Sequence, residues 1–148
     1  MPAAQPSDNS TKKKNPLSGR ALIDYCAAEL FARKAVNVVL MELKGLSEVC
    51  DSFLIATCQS ETQMRAILQG LQRALRNAGI QPIGNDAGPG ARWAVLDLGE
   101  LMVHLFEESH RAHFSLERLY KDAPREELKA EDFQLEERTV ESVENEFI

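Results

Sequence analysis

The stretch WAVLDLGELMVHLFEE, residues 93–108, constrains the fold more than any other part of this chain. Two largely apolar runs flank Gly99-Glu100, and a glycine leading a two-residue loop is the signature of a type II′ hairpin turn. So short a loop fixes the register: Leu98 faces Leu101, Asp97 faces Met102, Leu96 faces Val103, Val95 faces His104, Ala94 faces Leu105 and Trp93 faces Phe106. Alternation then sorts the pairs onto two faces. Ala94, Leu96, Leu98, Leu101, Val103 and Leu105 make one that is wholly apolar and must pack on helices. Trp93, Val95, Asp97, Met102, His104 and Phe106 make the other, which mixes aromatic, thioether and polar groups. Two readings fit this second face: a protein-binding surface, where Trp and Met are enriched, or a core face with one satisfied histidine.

The other elements build a layered domain around this hairpin. SGRALIDYCAAELFARKA, from Ser18, places Leu22, Ile23, Cys26, Ala27, Leu30 and Phe31 near helical spacing, with Ser18 as a candidate cap. VNVVLMEL (36–43) and SFLIATC (52–58) read as short buried strands. SETQMRAILQGLQRALRNAG (60–79) has a capping box in Ser60 and Gln63, an apolar stripe of Met64, Ile67, Leu68, Leu71 and Leu75, and a stop at Gly79. A short extended piece follows around Ile83, and GNDAGPG (84–90) reads as a flexible loop. A last helix is expected from about Glu107 to Tyr120. The order predicts an α/β fold with a mixed β-sheet packed with helices, in which the helix at 60–79 crosses between parallel strands.

Length and charge narrow the functional classes. A chain of 148 residues suggests one domain. Residues 1–17 carry no periodic apolar positions and are read as a disordered extension, residues 18–124 as the folded domain, and residues 125–148 as an acidic tail. That tail holds three basic and nine acidic side chains, enough to account for the formal net charge of −6. Phosphate contacts need Lys and Arg, so this balance opposes direct nucleic-acid readout. No apolar run reaches the roughly 20 residues of a membrane span, and no apolar stretch follows the N-terminal lysines, so a cytoplasmic protein without a membrane partner is expected. Cys26, Cys50 and Cys58 are odd in number, lack metal-ligand spacing and read as buried free thiols.

Catalytic arrangements are weakly signalled. Asp97 and His104 share a face one cross-strand step apart, with Glu107 just beyond. Glu107, His110 and His113 have helical spacing that a metal site could use, although solvated helix histidines are far commoner. The chain has no GxSxG, no GxxxxGK[ST] and no GxGxxG motif.

Two longer patterns resemble one family. CDSFLIATCQSETQMRAI is similar to an Asp-aromatic-apolar strand followed by a helix opening with Ser-x-x-Gln. RWAVLDLGELMVHLFEESHRAHFSLERLY is similar to a signature running from Trp through Asp-x-Gly-acid to Val-His-apolar-Phe, then a Leu-Glu-x-Leu-aromatic helix. Both belong to the ribosomal silencing factor, or Iojap-like, family, and the match spans about residues 19–124. Ser52 replaces the usual aromatic, and Cys58 stands where glycine is common.

The resemblance implies a nucleotidyltransferase-like fold without catalysis. It implies a translational repressor that binds the large ribosomal subunit through ribosomal protein number fourteen and blocks joining of the small subunit, with no cofactor and no metal. A homodimer is compatible with it. The expected interface is Trp93, Asp97, Met102, His104 and Phe106. The alternative is a residual nucleotidyltransferase or a metal-dependent hydrolase using Asp97, His104 and Glu107. Nucleotidyltransferases hold Mg²⁺ with a Gly-Ser motif followed by Asp-x-Asp or Asp-x-Glu. No Gly-Ser occurs in the chain, and neither acidic motif occurs in residues 18–124.

Overall fold

The computed structural model describes residues 17–87, 90–113 and 116–133. The N-terminal extension therefore lies almost wholly outside the described residues, as does the chain beyond Phe133. Helix α1 (Gly19–Ala32) leads into strands β1 (Val36–Glu42) and β2 (Ser52–Cys58). Helix α2 (Glu61–Asn77), strands β3 (Gly84–Asp86), β4 (Trp93–Asp97) and β5 (Leu101–Glu107), and short helices α3 (Glu108–His113) and α4 (Leu116–Leu119) follow. Strand β6 (Arg125–Glu127) and a 3₁₀ turn at Ala130–Phe133 complete the described chain. Six strands form one mixed sheet in the order β3-β4-β5-β2-β1-β6, where only β2 and β5 run parallel.

The hairpin register is the expected one at every pair from Trp93–Phe106 to Asp97–Met102. Gly99 turns at φ +92°, a backbone state open to glycine at little cost. The Asp97 side chain reinforces the turn by accepting from Gly99 N–H at 2.9 Å.

The apolar face packs on α1 and α2 as expected. Leu22, Cys26, Leu30, Ile67, Leu71 and Leu75 meet Leu54, Ala56, Ala94, Leu96, Val103 and Leu105 in one core. All seven residues of β2 are buried, because it lies mid-sheet with helices on both faces. Cys26, Cys50 and Cys58 are free and buried. Burial pushes the thiols of Cys26 and Cys58 up to about 12, so they stay protonated and inert.

Helix ends follow their signals with two differences. Ser60 accepts from Gln63 N–H at 3.1 Å, but Gln63 reaches back to Gln59 N–H rather than to the cap itself. At the other end of α2, Gly79 at φ +85° donates to Arg76 O, and Ile80 donates to Leu75 O, the paired bonds of a Schellman stop. Ser18 occupies the cap position of α1 but makes no side-chain cap bond. The Glu100 carboxylate from the hairpin turn takes that place, accepting from Gly19 N–H at 2.7 Å.

Three expectations need correction. The first residues of the expected glycine-rich loop form β3, paired with β4 from Gly84–Asp97 to Asp86–Val95. The helix expected from Glu107 to Tyr120 starts at Glu108, because Glu107 still belongs to β5, and its described parts are Glu108–His113 and Leu116–Leu119. Residues 125–133 enter the fold instead of leaving it. Arg125, Glu126 and Glu127 pair with Met41, Leu40 and Val39, Leu128 is buried, and Phe133 lies against Phe31 with ring centroids 5.5 Å apart. A charged strand is hard to see by composition, but backbone pairing at an edge requires no apolar side chains.

Candidate functional site

The second face of the sheet carries Trp93, Asp97, Met102, His104 and Phe106, the residues expected at the interface. Its lower layer is an apolar cluster of Met41, Leu43, Cys50, Phe53, Ile55, Phe106, Leu116 and Ala123. Leu116 and the neighbouring Tyr120 come from α4 and its end, so α4 closes this face over β1, β2 and β5. Trp93, Val95, Asp97 and Met102 remain half-exposed on β4 and the start of β5.

Trp93 is held in two ways. Its ring stacks on Phe106 with centroids 5.0 Å apart and planes 23° apart. Its Nε1–H donates to His104 Nδ1 at 3.1 Å. The indole is thus laid down on the sheet with its polar edge turned inward. His104 sits beneath, 4% exposed, with the Phe53 ring edge-on at 4.4 Å.

The histidine's environment sets its charge. Burial lowers its pKa to about 4, because an imidazolium would be desolvated among aromatic rings. The bond from Trp93 requires a bare Nδ1, so the ring proton rests on Nε2, which is buried without a hydrogen-bond partner. The unpaired N–H is tolerable only while the ring stays neutral.

A pH dependence follows. An unfolded histidine titrates near 6.5, well above its folded value of about 4. Between these values the unfolded chain binds the extra proton, so stability is full above about pH 6.5 and is lost as pH falls toward 4. The expected loss is on the order of 3 kcal/mol. Urea unfolding at pH 7 and pH 4.5 measures it, with His104→Phe as the comparison. The variant is expected to lose much less over that interval; equal losses would show that His104 is not the group responsible.

The face contains two layers where a single interface was expected. Trp93, Asp97 and Met102 are accessible to a partner, whereas His104 and Phe106 lie under them, Phe106 at 1% exposure. These two offer almost no surface of their own and hold Trp93 from below. The alternation placed them on the right face, but depth on a face depends on which helix covers it, and α4 is set by tertiary contacts.

The residues proposed for catalysis are not assembled. Asp97 spends one carboxylate oxygen on the turn. Glu107 accepts from the backbone N–H of Ser109 at 3.2 Å and from its hydroxyl, and lies 3.6 Å from both Arg92 and His110. The Ser109 hydrogen bonds, then the charge of nearby Arg92, hold its carboxyl below the usual range, the opposite of what a general acid needs. Among the described residues no group of three or more His, Cys, Asp and Glu side chains is placed to hold a metal. The His113 side chain lies outside that description.

Sequence reasoning missed Arg111. Its guanidinium, on α3, donates from Nη1 to Asn37 O at 2.8 Å and to Thr57 Oγ1 at 2.6 Å, and from Nη2 to Glu117 at 2.7 Å. Asn37 has φ +52° at a break in the β1–β2 register. A bulge turns a carbonyl out of the ladder, and nothing in the local pattern VNVVL marks one.

Comparison with known proteins adds a lineage to this geometry. The family model described as "Ribosomal silencing factor during starvation" matches residues 16–146. The chain is 35% identical over 113 residues to the ribosomal silencing factor of Halalkalibacterium halodurans, covering 76% of this chain and 97% of that protein. It is 30% identical over 112 residues to that of Bacillus subtilis, covering 76% and 95%. A crystal structure of a Bacillus halodurans protein superposes with a TM-score of 0.66 at 34% identity, covering 74% of this chain and all of the other.

Proposed function

We infer the function from one premise: this chain belongs to the ribosomal silencing factor family. It acts as a non-catalytic, ribosome-associated repressor of translation. It binds the large subunit through ribosomal protein number fourteen at the intersubunit face and blocks joining of the small subunit.

The observation that supports this reading most directly is the pose of Trp93. An indole stacked on Phe106 and bonded to buried His104 presents apolar area that is already ordered, so little side-chain entropy is lost on binding. Half-exposed Met102 adds an adaptable apolar contact. Asp97 gives the rim a negative charge suited to a basic protein surface. The enzymatic alternative has no comparable support, since Asp97, His104 and Glu107 are each engaged separately.

We propose that action is cytoplasmic. Among the described residues no helix is long and apolar enough to cross a membrane. A homodimer would use the uncovered edge of β3, beside Ile83 at 71% exposure; a single monomeric mass at micromolar concentration in sedimentation would refute it.

Occlusion makes a prediction about order. Each subunit lowers the apparent affinity of a competitor for a shared surface. Added before the subunits meet, the protein is expected to suppress reassociation in proportion to its occupancy of large subunits. Added afterwards, it should act weakly, and in neither case should it need a nucleotide. Light scattering of purified subunits distinguishes the orders. Equal inhibition in both, or a requirement for hydrolysable nucleotide, would contradict occlusion.

A further inference from the structure

Helices α3 and α4 span six and four residues. Helical segments of about a dozen residues or fewer are marginal alone in water, so their position is set by what ties them to the sheet. One tie is apolar, through Leu116 and Tyr120. A second runs from Arg125 on β6, which donates to Glu117 O at 2.8 Å and Tyr120 O at 3.4 Å, and a third is Arg111. Its side chain is 15% exposed and bridges three elements: the Asn37 carbonyl at the β1 bulge, the buried Thr57 hydroxyl on β2 and the Glu117 carboxylate on α4. A guanidinium is planar and forked, so three such bonds fix its plane and direction together. Its charge is largely taken from water and is balanced by the Glu117 carboxylate 2.7 Å away. The same geometry aims Arg111 inward, away from any phosphate at the surface.

A packed path connects this clamp to the exposed face. Tyr120, just past α4, meets Phe53 edge-on at 5.6 Å. Phe53 meets His104 at 4.4 Å, and His104 accepts the Trp93 hydrogen bond. Close-packed side chains transmit displacement instead of absorbing it. We propose that Arg111 is a positioning residue: by clamping α3 and α4 to β1 and β2 it sets, through Tyr120, Phe53 and His104, the pose of Trp93 on the partner face. The consequence for binding rests on the function proposed above; the consequence for Trp93 does not.

Trp93 is the only tryptophan in the chain and reports its own pose. The experiment compares wild type, Arg111→Met, Arg111→Lys and Glu117→Gln by tryptophan emission, acrylamide quenching, thermal melting and co-sedimentation with large subunits. Arg111→Met is expected to shift emission to the red, raise quenching and weaken co-sedimentation about tenfold. Arg111→Lys should recover part of each change, and Glu117→Gln should move emission and quenching in the same direction by less. Unchanged emission and quenching in a folded Arg111→Met protein would overturn the proposal. If Arg111→Met does not fold, the other two variants decide it by the same signals. A wild-type protein that fails to co-sediment would instead defeat the ribosomal reading, leaving emission and quenching to judge Arg111.

Discussion

Trp93→Ala is expected to weaken large-subunit binding by about 30-fold or more, the scale of a desolvated aromatic anchor. The alternating pattern alone suggests a change neutral for the fold. The structure predicts otherwise, because the side chain covers Phe106 and donates to His104. Truncation bares the Phe106 ring and deprives Nδ1 of a buried imidazole of its Trp93 donor, when Nε2 already has no partner. A cost of roughly 2 kcal/mol is reasonable for a half-buried ring, below the 3–5 kcal/mol of a fully buried one. Trp93→Phe separates the two effects, keeping the stack while losing the N–H. Co-sedimentation and thermal melts of both variants give the answer. Full binding by a folded Trp93→Ala protein would remove this face from the interface.

Ending the chain after Pro124 is expected to cost about 3 kcal/mol and to lower Tm by roughly 10 °C. The cut removes the pairing of Arg125–Glu127 with β1 and the buried Leu128, whose N–H donates to Val38 O at 2.9 Å. It also removes Glu126, which pairs with Arg20 at 3.1 Å on the first turn of α1, although so exposed a pair contributes little. The bared edge of β1 should also promote aggregation. Ending the chain after Phe133 retains these contacts and is expected to melt like the full chain. Equal melting temperatures for the two truncations would show that β6 adds nothing to stability.

Much of this was legible in the sequence where local rules act alone. A two-residue turn fixed the register of β4 and β5, and side-chain alternation fixed their faces. The α2 stripe and its Gly79 stop follow from helical geometry within one segment. What stayed hidden depends on contacts between distant segments. Glu100 replaces Ser18 as the partner of the α1 terminus, a bond across 81 residues. The separation of Trp93 and Met102 above from His104 and Phe106 below depends on where α4 settles. The role of Arg111 depends on a bulge that VNVVL does not announce. Strand β6 was read as tail because its residues are charged, and an edge strand can be charged throughout.

The parallel pairing of β2 with β5 has a consequence for how the chain acquires its shape. Residues 52–58 cannot find their partner until residues 101–107 exist, and α2, β3 and β4 must all be made in between. The β4–β5 hairpin closes over two residues, so it can form in microseconds once synthesised. The central pair must await closure of a long loop, the kind of contact that slows folding. During synthesis, β1 and β2 therefore stand as an unfinished ribbon that only α1, already made, can cover on one face. The hairpin that carries Trp93 is also the piece whose arrival lets the sheet form. A substitution that slows its closure, such as replacement of Gly99 at φ +92°, would expose that ribbon for longer and lower soluble yield beyond its cost to the finished turn.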